Sequence, residues 1–207
     1  MPAARVATAP PARVKDPPNP PRYDLWPAAL RSAGRLHGLL VPCGPGFRGI
    51  GWPETPRVRT AALAEFLSPD LAATHLTAAW VWGAAKDPGE PLRFSTRDRR
   101  RNLRRETPQI RISELRLAPG DMHELGAFAV TTPLRTLLDL LYADTGFGKR
   151  ERVACRLLAL QIPGGWATAR ERVEARRRPY RTVARERLAA LAPDRSRAGE
   201  ASPRSSA

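Results

Sequence analysis

The segment GAFAVTTPLRTLLDLL, residues 126–141, does most to limit the folds open to this chain, because two hydrophobic periods meet inside it. GAFAVTT has the β-branched content of a short strand. The chain then passes through Thr132 and Pro133 into LRTLLDLL, where Leu134, Leu137, Leu138 and Leu141 lie on one helical face. Thr132 supplies an N-cap oxygen, and Pro133 suits the first helical position, where no N–H is required and a fixed φ is an advantage. A strand that hands over to a capped helix requires a mixed fold.

Other stretches repeat this change of period. Residues 57–67 (RVRTAALAEFL) set Val58, Ala62 and Phe66 at i, i+4 spacing with Leu63 and Leu67 alongside, which predicts an inward-packed helix. A second helix is predicted from Thr74 as N-cap, with Leu76, Ala79, Trp80 and Gly83 on one stripe and Gly83 placed to let another backbone approach. Trp80 and Trp82, two residues apart, cannot share a face, so one belongs in the core and the other near a rim or partner surface. PLRFST (91–96), QIRIS (109–113) and GAFAVTT (126–132) read as short strands, and APGD (118–121) as a tight turn, predicting a small antiparallel sheet. Helices follow at 148–161, 165–178 and 180–191, the first two separated by PGG at 163–165. Upstream, residues 23–30 read as a short helix and RLHGLLVPCGPGFRGIGWP as a β-ribbon with a Gly-Pro tip. Residues 1–22 alternate Pro, Ala and Arg with almost no large apolar side chain, so burial cannot offset the entropy of ordering them, and they are expected to form a disordered arm. Residues 192–207 read as a second such tail.

The formal net charge of +15 and pI near 11.4 exceed what solubility requires and favour polyanions, either nucleic acid or an acidic protein face. The alternative is compositional: only Lys15, Lys86 and Lys149 among the 35 basic residues are lysines, the Arg, Ala and Pro usage of a GC-rich genome. Charge is densest in RFSTRDRRRNLRR, residues 93–105, with seven Arg against the single Asp98. Guanidinium groups grip phosphate oxygens at two points, which makes Arg97, Arg99, Arg100, Arg101, Arg104 and Arg105 the candidate nucleic-acid-binding residues. The competing reading is a solvated loop whose charge keeps sheet edges apart. Residues 170–207 carry eleven Arg and five acids, but on helices with i, i+4 pairs such as Glu174 with Arg178, and solvated helix faces explain most of them.

The local signatures of common catalytic sites are missing. There is no Gly-x-Ser-x-Gly elbow, no Walker phosphate loop, no His-Glu-x-x-His and no Glu-x-Lys of metal-dependent nucleases. His37, His75 and His123 stand far apart, and Cys43 and Cys155 have no second thiol or histidine at ligand spacing. The expectation is a non-enzymatic protein with no cofactor and no metal site. No run approaches 18 apolar residues and the Pro-rich N-terminus lacks a signal-peptide core, which predicts a cytoplasmic chain without membrane association.

HLTAAWVWG (75–83), IRISELRLAPGDM (110–122) and AVTTPLRTLLDLL (129–141), in this order and spacing, resemble actinobacterial members of the AbiEi-type antitoxin family. The resemblance spans roughly residues 29–191. It is strongest where the family's Thr-x-x-Arg-Thr-x-x-Asp-Leu pattern meets Thr132, Arg135, Thr136, Asp139 and Leu140. Arg135 and Asp139 are one helical turn apart and can pair, so spacing alone gives them an architectural job, fixing the helix against the sheet. The fold implied is α+β: a degenerate winged-helix remnant at 23–56, in which LRSAGRLHGLLVPCGPGF resembles the final helix and wing, then an AbiEi-like module at 57–191 with a small antiparallel sheet and a helical C-terminal part. The function implied is an antitoxin or transcriptional regulator that binds a cognate nucleotidyltransferase-like toxin, nucleic acid, or both. Two alternatives stand beside it: a freestanding Arg-rich nucleic-acid-binding protein, and a remnant of proteins that join this module to a Vsr-like endonuclease, whose further hundred or so residues this chain is too short to hold.

Overall fold

In the computed structural model of the protein, residues 18–97, 107–144, 146–175 and 179–192 are described. Residues 1–17 of the expected arm at 1–22, 193–207 of the tail at 192–207 and 98–106 of the arginine segment therefore lie outside the described residues. Residues 18–22 are described, and Arg22 pairs with Asp24 at 2.6 Å and lies 5.1 Å over the Phe128 ring, so this end of the expected arm packs on the fold. The mixed α+β class holds.

The chain enters through a 3-10 turn, Tyr23–Leu25, and helix α1, Ala28–Leu36. The sequence predicts one helix over 23–30, and Pro27 explains the displacement. A residue before proline is pushed out of the helical region, and Trp26 is extended at ψ 142°, so the helix restarts after the break and runs on to Leu36. Next comes a two-stranded antiparallel ribbon, β1 (Leu40–Cys43) with β2 (Gly46–Gly49), in the place where the Gly-Pro tip predicts it. Helix α2, Pro56–Ala62, is shorter than the 57–67 periodicity suggests, because Leu63 to Phe66 continue the apolar face as turns. Thr55 caps α2 through its side chain, which accepts from Val58 N at 3.4 Å.

Five strands then build one sheet in the order β5-β4-β3-β7-β6: β3 (Leu71–Ala73), β4 (Leu92–Thr96), β5 (Ile110–Ser113), β6 (Met122–Leu125) and β7 (Phe128–Thr131). This sheet is mixed, which corrects the purely antiparallel expectation: β3–β4 and β6–β7 are antiparallel, whereas β3–β7 and β4–β5 are parallel. Strand β6 is not among those predicted from the sequence; it and β5 are the two opposite edges of the sheet. APGD forms a 3-10 turn, Pro119–Asp121, at the end of a connection that runs from one edge to the other. The central strand is the unsigned triplet Leu71-Ala72-Ala73, wholly buried.

Helix α3, His75–Val81, joins β3 to β4, and α4 (Pro133–Leu141), α5 (Lys149–Ala159), α6 (Gly165–Ala175) and α7 (Arg181–Leu191) form the helical layer. Two apolar clusters result. One packs Val58, Leu63, Leu67, Phe94, Phe128 and Trp80 between α2, the ribbon and the sheet; the other packs α4 to α7 together around Leu137, Leu141, Leu158 and Leu188. Helix α3 serves both, giving Trp80 to the first and Ala79 to the second. Gly83 after α3 has φ +75°, and an added Cβ would touch only Arg59 Nη1, at 3.6 Å, so the position requires left-handed backbone rather than the close approach expected of it.

Candidate functional site

The N-terminus of α4 is where the family-like residues meet. Thr132 Oγ1 accepts from Arg135 N at 3.2 Å and so satisfies one otherwise unpaired donor of the first turn. Thr136 faces inward: its hydroxyl lies 2.7 Å from that of Thr131 and donates to Thr131 O at 3.1 Å, tying α4 to the end of β7. Trp82 Nε1 donates to the same carbonyl at 2.7 Å, which draws the end of α3 into the junction.

Arg135 is 1% exposed and is the largest charged side chain in the interior. Its Nε meets Asp139 Oδ1 at 2.8 Å one turn along the helix, while Nη1 donates to Asp121 Oδ2 at 2.7 Å and to Arg116 O at 2.8 Å. Asp121 also accepts Thr132 N on its carbonyl at 2.9 Å and Ala118 N on its carboxylate at 3.1 Å. Arg135 therefore clamps α4 to the connection between β5 and β6. Two carboxylates around one guanidinium give the pairing that a charge this deep requires. At the other end of α4, Arg187 Nη1 donates to Leu141 O at 2.8 Å and Ala143 O at 2.6 Å, and its guanidinium lies 4.5 Å over Phe147. A cation on the terminal carbonyls complements the helix dipole.

Asp121 and Arg187 escaped sequence reading. Asp121 was visible only as the acid of a Pro-Gly-Asp turn, and nothing local signals that Arg187 reaches carbonyls more than 40 residues away. Arg97, the one candidate nucleic-acid residue within the described segments, follows β4 and is engaged by protein: Nη1 donates to Pro69 O at 3.2 Å and Nη2 pairs with Glu124 on β6. Arg99, Arg100, Arg101, Arg104 and Arg105 lie outside the described residues.

His75 is the most perturbed of the three histidines. It is 9% exposed, has a left-handed φ of +50°, and places Nδ1 3.1 Å from Thr74 Oγ1, so Thr74 serves this ring instead of capping α3 through its side chain. Burial, reinforced by the nearby charges of Arg93 and Arg135, lowers its pKa to about 4, which leaves the ring neutral at pH 7. A cavity of about 190 Å³ beside it is also lined by Glu90, Arg93, Arg150 and Glu151. His37 and His123 are exposed, with His123 packed edge-on against Trp82 at 5.5 Å. Burial raises the thiol of Cys43 to about 11 and that of Cys155 to about 12, so both stay protonated at neutral pH and are poor nucleophiles. Among the described residues no group of three or more His, Cys, Asp or Glu stands together in a way that could hold a metal ion. No helix among them is long and apolar enough to cross a membrane.

Fold and site together define an α+β protein whose most organised polar cluster is a buried structural junction. No protein-family model matches the chain, and neither a curated protein nor a solved structure matches it.

Proposed function

We propose that the protein is a non-enzymatic antitoxin or transcriptional regulator of the AbiEi type, acting by binding a nucleotidyltransferase-like toxin, nucleic acid, or both. The observation that carries this reading is the use made of the family-like residues. Thr132, Arg135, Thr136 and Asp139 are all engaged in holding α4 against the sheet, so the pattern that resembles the family most closely organises a scaffold and leaves no reactive group facing a substrate. A second feature supports it. Helix α1 leads directly into the β1–β2 ribbon, as the last helix and wing of a winged helix do, and Arg31, Arg35 and Arg48 lie on these elements.

Action by binding is tested by incubating the purified protein with Mg²⁺ or Mn²⁺ and labelled duplex DNA from upstream of its own gene, with labelled RNA in parallel. The nucleic acids are expected to be returned intact. Product that accumulates with the folded protein and disappears on substitution of one carboxylate would overturn the reading.

A further inference from the structure

Helix α5 has two apolar faces, and among the described residues only one of them is packed. Ala154, Cys155, Leu158 and Ala159 are buried against α3, α4, α6 and α7. Val153, Leu157 and Leu160, at i, i+4 and i+7, form a second stripe that faces outward with 44%, 40% and 83% of their surface exposed. A helix that packs on one side only has no reason of its own to carry three large aliphatic side chains in register on the other.

The surroundings of this stripe specify what fits it. At about 100° per residue, Lys149, Arg152 and Arg156 form a row along one side, and Arg150 flanks the other; all four are exposed. Arg150 pairs with Asp87, and Glu186 of α7 borders the groove that Arg152 and Arg156 line. The acid of α5 itself, Glu151, points away from the stripe and accepts from Gly148 N at 2.8 Å. We infer that this face of α5 is a docking surface for an acidic amphipathic helix of a partner protein, which lays an apolar row on Val153, Leu157 and Leu160 and sets carboxylates over Lys149, Arg152 and Arg156. A second copy of the chain fits badly. Antiparallel pairing of two α5 helices sets each cationic row against its own counterpart, and parallel pairing sets it against Arg150. The inference stands apart from the antitoxin reading, since it concerns the chemistry of the partner surface and not the partner's activity.

Two fluorescein-labelled helical peptides with the same leucine row, one flanked by glutamates and one by lysines, are titrated with the full chain and followed by anisotropy. The glutamate peptide should bind roughly tenfold tighter, as expected when several exposed charge pairs turn from repulsive to attractive, and the preference should shrink as salt rises. Leu160→Ser should weaken both peptides, whereas Arg156→Glu should weaken only the acidic one. Both residues are exposed, and unchanged circular dichroism of the variants keeps a loss of binding from being a loss of fold. Equal affinity for the two peptides, or binding that neither substitution alters, would overturn the inference. So would a parent chain that sediments as a dimer and becomes a monomer on Leu160→Ser, because a second copy would then occupy the stripe.

Discussion

Arg135 illustrates how much one residue's neighbours decide. A guanidinium removed from water is costly, and here Asp139 at 2.8 Å and Asp121 at 2.7 Å offset that cost. Taking away one carboxylate leaves the charge buried with half its compensation. Asp139→Ala should accordingly cost about 3–5 kcal/mol in urea unfolding. Thr132→Ala removes only a half-exposed cap and should cost about 1 kcal/mol. If Asp139→Ala left stability unchanged while abolishing partner binding, the cluster would be an interface and not a junction. His75 makes a second prediction, and its sign follows from linkage. The folded ring has a pKa lowered to about 4, whereas an unfolded histidine titrates near 6.5, so below 6.5 the unfolded chain binds a proton that the folded chain refuses. The stability this site contributes is complete above pH 6.5 and is lost as pH falls toward 4. At about 1.4 kcal/mol per tenfold change in proton affinity, the loss is of the order of 3 kcal/mol. His75→Asn tolerates the left-handed backbone but does not titrate, and should flatten the melting temperature between pH 6.5 and 4; an unchanged slope would place the pH dependence elsewhere.

Elements were legible where local chemistry decides them. Pro133 after a capping Thr, the PGG break before α6 and the Gly-Pro tip of the ribbon are short-range signals, and the corresponding helices and hairpin stand within a few residues of their predicted positions. What local chemistry does not decide is pairing. Strand β3 is Leu-Ala-Ala, too short and too poor in β-branched residues to show a period, yet it is central because β4 and β7 bury it from both sides. With β3 between them, β4 and β7 are not neighbours, and the strands predicted at 91–96, 109–113 and 126–132 do not form one antiparallel set. The same limit applied to the site: the Arg135–Asp139 pair is visible at i, i+4, whereas Asp121, Trp82 and Arg187 reach it or its helix through the fold alone. The ribbon offers a test at this scale. Gly44 at its tip has φ +54°, and an added Cβ would stand 2.6 Å from Trp80 Cζ2, a core ring 2% exposed. Gly44→Ala should destabilise the protein by about 1–3 kcal/mol through this overlap and the strained backbone, and should raise Trp fluorescence sensitivity to quencher as the ribbon lifts. A variant as stable as the parent would mean that the tip does not rest on Trp80.

Across the whole molecule, the surplus of +15 is distributed unevenly in role. Arg135, Arg187, Arg59 and Arg97 are each tied to carboxylates or carbonyls of the fold. If nucleic acid is held at Arg99, Arg100 and Arg101, as the charge density of the sequence predicts, their substitution together by alanine should remove about three phosphate contacts and lower the salt slope of duplex DNA binding by roughly 0.9 per contact. Sequence preference should hardly change, since phosphate contacts position a protein without reading bases. An unchanged slope would assign DNA binding to other cations. The antitoxin form of the proposed function has one direct test. A nucleotidyltransferase-like protein, where one is encoded beside this chain's gene, is induced to arrest growth, and this chain is co-expressed from a separate promoter at graded levels. The account predicts that growth recovers in proportion to the amount of folded chain, and that Asp139→Ala reduces recovery only as far as it reduces the folded fraction. Growth arrest that persists at every level of folded, expressed chain would contradict it.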